Sequence, residues 1–373
     1  MSIEPSGVVD GATGHHESHG PEDTPSRARV TSLRCSGVTL SGQRPSVAIP
    51  FPASSPPGFE WLENEVVFDP GRHLALEEPT EIVLLAELGY AQEEIARTAT
   101  PVAASSPFRI LSDEGAEVLL DVARHLEPFV MPASDRIERV VRGGCYRSRW
   151  LRDLCLSADL AAHLSKIYRT PVAPHAMPHH LGHLNYSPTT IGTGIDKWHH
   201  DTLPLDVVMT VTDPARVAGG RFDWFRGTKH EAAELAAQGE TPSAERVVTP
   251  EFGGPGWGIA LHGNMVVHRA APLTEMCERI SMVNGYVALD TELDAQSRTA
   301  DLIGVDPPAA LYGEWARYAA WQSAGRLRTI IDQVGWTDDP EQAATELDRA
   351  IEVARQAAAE MRAGRVETHH YGG

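Results

Sequence analysis

Trp198-His199-His200-Asp201 decides how the rest of this 373-residue chain is read. As a β-strand it sends alternate side chains to opposite faces, so His199 and Asp201 project together and His200 projects away. An imidazole beside a carboxylate is two thirds of a metal site. A third ligand must come from a distant strand, and Leu261-His262-Gly263-Asn264-Met265-Val266-Val267-His268-Arg269 offers one. Gly263-Asn264 is a tight-turn signal that sets His268 early on the following strand. His262, ahead of the turn, reads as structural.

Two His and one Asp on one face of an ion leave the opposite face open, the arrangement that suits non-haem Fe(II) and oxygen. Past Pro272, Arg279-Ile280-Ser281 opens a strand-like run to Leu289, with Arg279 and Ser281 on one face. A guanidinium fork beside a hydroxyl is a clamp for a carboxylate. In this order, triad and then clamp, the chain resembles the Fe(II)/2-oxoglutarate-dependent dioxygenases. The segment Gly219-Gly220-Arg221-Phe222-Asp223-Trp224-Phe225-Arg226-Gly227-Thr228-Lys229-His230 is similar to the GG-x-L…PGSHK segment of the phytanoyl-CoA dioxygenase branch. Arg226 stands where that pattern has Pro, and the last two residues are exchanged. The resemblance spans roughly residues 107 to 290.

It implies a mainly β fold with flanking helices around a double-stranded β-helix (jelly-roll, cupin-like) core. It also implies Fe(II) on His199, Asp201 and His268, with O2 and 2-oxoglutarate as cosubstrates and succinate and CO2 as products. Arg279 and Ser281 would hold the far carboxylate of 2-oxoglutarate. Asn185 and Tyr186, on a strand shortly before the triad, are assigned to the cosubstrate or substrate pocket. Related halogenases replace the carboxylate ligand with a small residue, so Asp201 points to hydroxylation, desaturation or ring formation. The expected substrate is a small molecule, free or carrier-bound, as in secondary metabolism. Two alternatives stay open: a cupin-type metalloenzyme that does not use 2-oxoglutarate, and an inactive barrel serving as a binding module.

Composition narrows the classes. With 51 acidic and 32 basic residues the formal net charge is −19, which speaks against nucleic-acid binding. No 18-residue apolar run and no signal-peptide core are present, so neither membrane insertion nor export is expected. Cys35, Cys145, Cys155 and Cys277 show no paired spacing and read as reduced thiols of a cytoplasmic protein.

The expected organisation is a disordered arm over 1–30, an extended and helical segment over 31–106, the dioxygenase core over 107–290, and a helical extension over 291–373. His15, His16 and His19 belong to the solvated arm. Thr80 to Thr98 reads as a helix with its stripe at Ile82, Leu85, Leu88 and Ile95. Ser112 caps a helix through Leu126, and Asp153 to Tyr168 reads as another. From His179 to Leu289 the pattern turns to period two, with short strands between turn signals.

The basic run Arg136, Arg139, Arg142, Arg147, Arg149 and Arg152 reads first as a solvated face paired with acids, and otherwise as a lid for an anionic substrate. His175, His179, His180 and His183 read as packing or pocket residues rather than a second metal site. Glu231 to Gln238 looks like an insertion near the site mouth. From Pro340 a helix with the stripe Ala344, Leu347, Ile351, Ala354, Ala358 and Met361 ends at Gly364. It packs against its own domain or makes a homodimer face; the sequence leaves both open.

Overall fold

The structure, a computed structural model, describes residues 48–133, 137–192, 195–294, 297–333, 335–365 and 371. The expected N-terminal arm with its three histidines, Arg136, and His369 and His370 lie outside them. Six short strands come first: β1 (Ile82–Leu84), β2 (Val102–Ser105), β3 (Phe108–Arg109), β4 (Met131–Ala133), β5 (Ile137–Val141) and β6 (Val172–Pro174). Eight more follow: β7 (His183–Tyr186), β8 (Asp196–His199), β9 (Leu205–Thr210), β10 (Phe222–Phe225), β11 (Val247–Val248), β12 (Trp257–Leu261), β13 (His268–Ala270) and β14 (Ile280–Ala288).

These last eight pass from one sheet to the other at every step except between β10 and β11. The large sheet runs β1-β2-β12-β9-β14-β7-β5-β4, with β3 on β12 and β6 on β14, and the small one runs β11-β10-β13-β8. Among the described residues every strand pairing is antiparallel, and β12-β9-β14-β7 facing β11-β10-β13-β8 is the jelly roll.

Period two explains why β14 is buried along its whole length. Its outward residues Ile280, Met282 and Tyr286 join Leu184 and Met209 against Leu119, Leu151 and Leu164 of the helices Asp113–Leu126, Arg149–Cys155 and Ala158–Ile167. Val283 faces the other way and packs with Val208 and Ile259 against Phe222 and Trp224 of the small sheet. Ser281 pairs with Asn185 on one side and Thr210 on the other, so those three side chains share the inner face.

Several sequence expectations are corrected. Thr80–Thr98 is not one helix: Ile82-Val83-Leu84 pairs with β2, and Gly89 at φ +97° ends a short turn before Gln92–Ile95. The apolar spacing fits a helix, but a β-branched start and a left-handed glycine break it. The stretch before residue 107 therefore gives two strands to the large sheet. Asp153–Tyr168 is split after Cys155, because Ser157 caps a second helix. Lys229–Ala237 is a helix whose Ala232 and Leu235 cover Trp198 and Phe225 on the outer face of the small sheet, not an insertion at the site mouth.

The basic run is not simply a solvated face. Arg142 is buried and binds Asp306 through two bonds of 2.5 and 2.8 Å. The guanidinium of Arg147 lies 4.5 Å from the Phe59 ring centre, and that of Arg149 lies 4.8 Å from Trp61. An extended segment therefore lies over these arginines. The helices Pro308–Gln333 and Pro340–Ala363 pack on Ala176, Met177 and Val287 of the domain. On the last helix the buried positions are Ala350, Val353 and Ala357, a face rotated from the expected stripe, and Leu347 is exposed. Asp339 caps its start and Gly364 its end. Among the described residues no helix is long and apolar enough to cross a membrane, and Cys145, Cys155 and Cys277 are free thiols.

Cutting one half of the Arg142–Asp306 pair strands a buried charge. Asp306→Ala should therefore cost about 3–5 kcal/mol in urea unfolding, and Arg142→Met with Asp306→Leu together should cost less than that single change.

Candidate metal centre and anion pocket

Register builds the centre. β8 pairs with β13 so that His199 lies opposite His268, and the two rings stand 4.2 Å apart between centroids. Two residues on, the Asp201 amide donates to the carbonyl of Gly263 at 2.8 Å, which pins the chain just past β8 to the turn before β13. The Asp201 carboxylate then sits between the rings. Oδ1 is 3.2 Å from His199 Nε2, and Oδ2 is 3.3 Å from His268 Nε2.

Each ring is held from behind. Nδ1 of His199 lies 2.7 Å from the Lys197 carbonyl, and Nδ1 of His268 lies 3.0 Å from that of Val266. A carbonyl only accepts, so both Nδ1 atoms carry a proton, and each Nε2 faces the Asp201 carboxylate, where a metal would meet its lone pair once the shared proton leaves. This backing orients an imidazole for a metal.

Ligand atoms from all three residues fall within 4.8 Å of one another. With bonds of roughly 2.0–2.2 Å, neighbouring ligands on one ion stand about 3 Å apart, so the observed spacings fit a single ion. Burial opposes a charged imidazole, yet Asp201 outweighs it and holds His268 above the usual imidazole range. Burial also opposes the charge on Asp201, but the two histidines hold that carboxyl well below its usual range. A bound cation would replace the proton that these groups share.

Beyond the triad, Asp206 is fully buried, and burial together with the charge of Asp201 pushes its carboxyl well above the usual range. A Cβ on Gly263 would lie 2.0 Å from Asp206 Oδ2, so only glycine fits that turn. Nothing in the residue spacing around Asp206 marks it as a neighbour of the triad. His200 turns to the other face, where its Nδ1 meets the hydroxyl of Tyr371. His262 is buried on the Val102 carbonyl at 3.0 Å, and burial pushes it down to about 4. His179 bonds Glu314 at 2.7 Å and His175 bonds Ser297 at 2.8 Å, away from the triad.

Arg279 lines a cavity of about 840 Å³ between the sheets. Its Nη1 donates to Ser281 Oγ at 2.8 Å and its Nε to the Gly220 carbonyl at 3.2 Å. No carboxylate of the described residues stands within ion-pair distance of it; burial pushes it down to about 10 although the charge of Asp196 opposes that shift, so it stays charged at neutral pH. Gly219 and Gly220, at φ +77° and +59°, turn the chain along the cavity wall. Phe222 lines the cavity on one side and meets the His268 ring at 5.4 Å on the other.

Asn185 shares the inner face with Ser281, and its Oδ1 is buried without a partner. Tyr186 does not share it. Its hydroxyl donates to the Ala123 carbonyl at 2.6 Å in the helix-covered core, so its pocket assignment is corrected: neighbours on a strand face opposite ways.

No protein-family model matches the chain, and no curated protein does. Solved structures overlap it in part. One is EctD from S. alaskensis with 2-oxoglutarate and 5-hydroxyectoine, at 18% identity and a TM-score of 0.37, over 58% of this chain and 83% of that one. Another is the non-heme alpha ketoglutarate dependent epimerase SnoN from nogalamycin biosynthesis, at 16% and 0.35, over 54% and 82%. A third is HygX from Streptomyces hygroscopicus with nickel and 2-oxoglutarate bound, at 14% and 0.36, over 53% and 87%. Overlaps this loose carry no argument about activity.

His199→Ala, Asp201→Ala and His268→Ala should each abolish tight binding of one divalent ion per chain. His200→Ala should leave it within a few-fold, as read by Mn(II) titration under electron paramagnetic resonance. Loss of the ion in His200→Ala alone would mean that the strand presents its other face.

Proposed function

We propose that this chain is an Fe(II)- and 2-oxoglutarate-dependent oxygenase that hydroxylates, desaturates or cyclises a small molecule of secondary metabolism. The observation that carries the reading is a buried guanidinium with no carboxylate at bonding distance, in a cavity separated from a His-Asp-His triad by one aromatic ring. A buried cation demands an anion. The triad fits one metal ion with an open face, and together the two sites suit a short molecule with a carboxylate at one end and metal-chelating oxygens at the other.

The chemistry such a pair supplies is O2 activation coupled to conversion of 2-oxoglutarate into succinate and CO2. The chain's own residues do the rest. Arg279 receives the far carboxylate with its remaining N–H groups, and Ser281 holds the guanidinium in place. Asn185 offers an amide from the same face. Phe222 keeps apolar surface beside the His268 ring and limits the water that reaches it. The Lys197 and Val266 carbonyls keep both imidazoles in the tautomer that binds metal.

Anaerobic titration of the Fe(II)-loaded protein with 2-oxoglutarate, followed by the metal-to-ligand absorption band, tests this directly. Arg279→Ala should weaken binding tenfold or more, since charge-assisted bonds are worth roughly 1.5–3 kcal/mol, while iron binding survives. Ser281→Ala removes one neutral bond of about 1 kcal/mol and should cost several-fold. Wild-type affinity in Arg279→Ala would remove Arg279 from the carboxylate site, and the absence of any absorption band in the wild type would move the reading to a metalloenzyme that does not use 2-oxoglutarate.

Succinate release in the presence of a panel of amino acids, acyl thioesters and secondary-metabolite scaffolds should be stimulated by the true substrate. No release under any of them would favour the binding-module alternative.

A further inference from the structure

The cavity that holds Arg279 is larger than its anion needs. About 840 Å³ is the size of a site for a drug-sized ligand, whereas a five-carbon diacid fills only part of it. Burial divides the lining into a floor and a rim. Val208, Phe222, Arg279 and Ser281 are buried, while Ala215, Arg221, Glu251 and Thr274 are exposed. None of the three triad residues lines it. The surplus volume therefore forms a corridor between the Arg279 floor and the exposed rim.

One cation stands on that rim. The side chain of Arg221 has no ion pair or hydrogen bond among the described residues, although the chain carries 51 acidic groups. The formal charge of −19 repels a dianion at long range, which slows its encounter with the protein. An exposed cation at the mouth of the cavity that holds Arg279 makes a local positive field against that background, and Glu251 on the same rim opposes it.

We propose that 2-oxoglutarate enters through this corridor, drawn in by Arg221. The inference rests on the proposed use of 2-oxoglutarate and adds a route and an entry residue to it. Steering acts on the association rate and fades with salt, because the Debye length falls from about 30 Å at 0.01 M to about 3 Å at 1 M.

Stopped-flow mixing of anaerobic Fe(II)-loaded protein with 2-oxoglutarate separates the outcomes. At low salt Arg221→Ala should lower the association rate roughly threefold and Arg221→Glu further, with dissociation unchanged, and Glu251→Gln should raise it. All variants should converge on the wild-type rate near 0.5 M salt. Arg221 variants as fast as wild type at low salt overturn the route. A slowing that persists at high salt also overturns it, since that would report altered structure rather than steering. A wild-type protein that shows no absorption band with 2-oxoglutarate overturns both the route and the functional reading beneath it.

Discussion

The centre depends on one antiparallel pairing, that of β8 with β13, which sets His199 opposite His268. The register is fixed by what lies on the other face. Trp198 and Val267 pack there with Phe225 and Ala232, and a slip of one residue would exchange that apolar surface for the imidazoles. Asp201 reaches the rings only because its amide is tied to Gly263. Gly263 in turn admits no side chain, because Asp206 occupies the space. The triad is therefore as precise as the packing behind it.

The inner faces of the two sheets divide the labour. The small sheet supplies His199 and His268 with carbonyls that fix their tautomers. The large sheet supplies Thr210, Asn185 and Ser281 in a single cross-strand row beside Arg279. Helices cover the outer face of the large sheet with an apolar layer. That cover leaves the inner face free for polar groups, whose desolvation is offset only when a ligand or a neighbour meets them.

Arginines show how context decides the role of one residue type. Arg142 is buried with Asp306 and has a structural partner. Arg147 and Arg149 lie against Phe59 and Trp61 and fasten an extended segment to the domain. Arg279 is buried with Asp196 as a neighbouring charge but no acid at bonding distance, and it is the one that calls for a ligand. In the sequence the first three form a conspicuous basic run, and Arg279 stands apart from it. Clustering along the chain was a poor guide because Phe59, Trp61 and Asp306, which absorb those charges, are far away in sequence.

What the sequence determined by itself was local and periodic. Alternation from His179 onward marked the strands of the barrel, Ser112 and Gly364 marked helix ends, and the two-residue spacing of His199 and Asp201 put them on one face. The same rule applied to Asn185 and Tyr186 would have separated them, since adjacent strand residues cannot share a face. Tertiary structure alone decided which strands paired, that Ile82-Val83-Leu84 became an edge strand despite helical spacing, that Asp206 stood beside Asp201, and which buried arginine had no acid at bonding distance. Periodicity is written in the order of residues, whereas register, burial and charge pairing are set by contacts between segments distant along the chain, and these exist only once the sheets have closed.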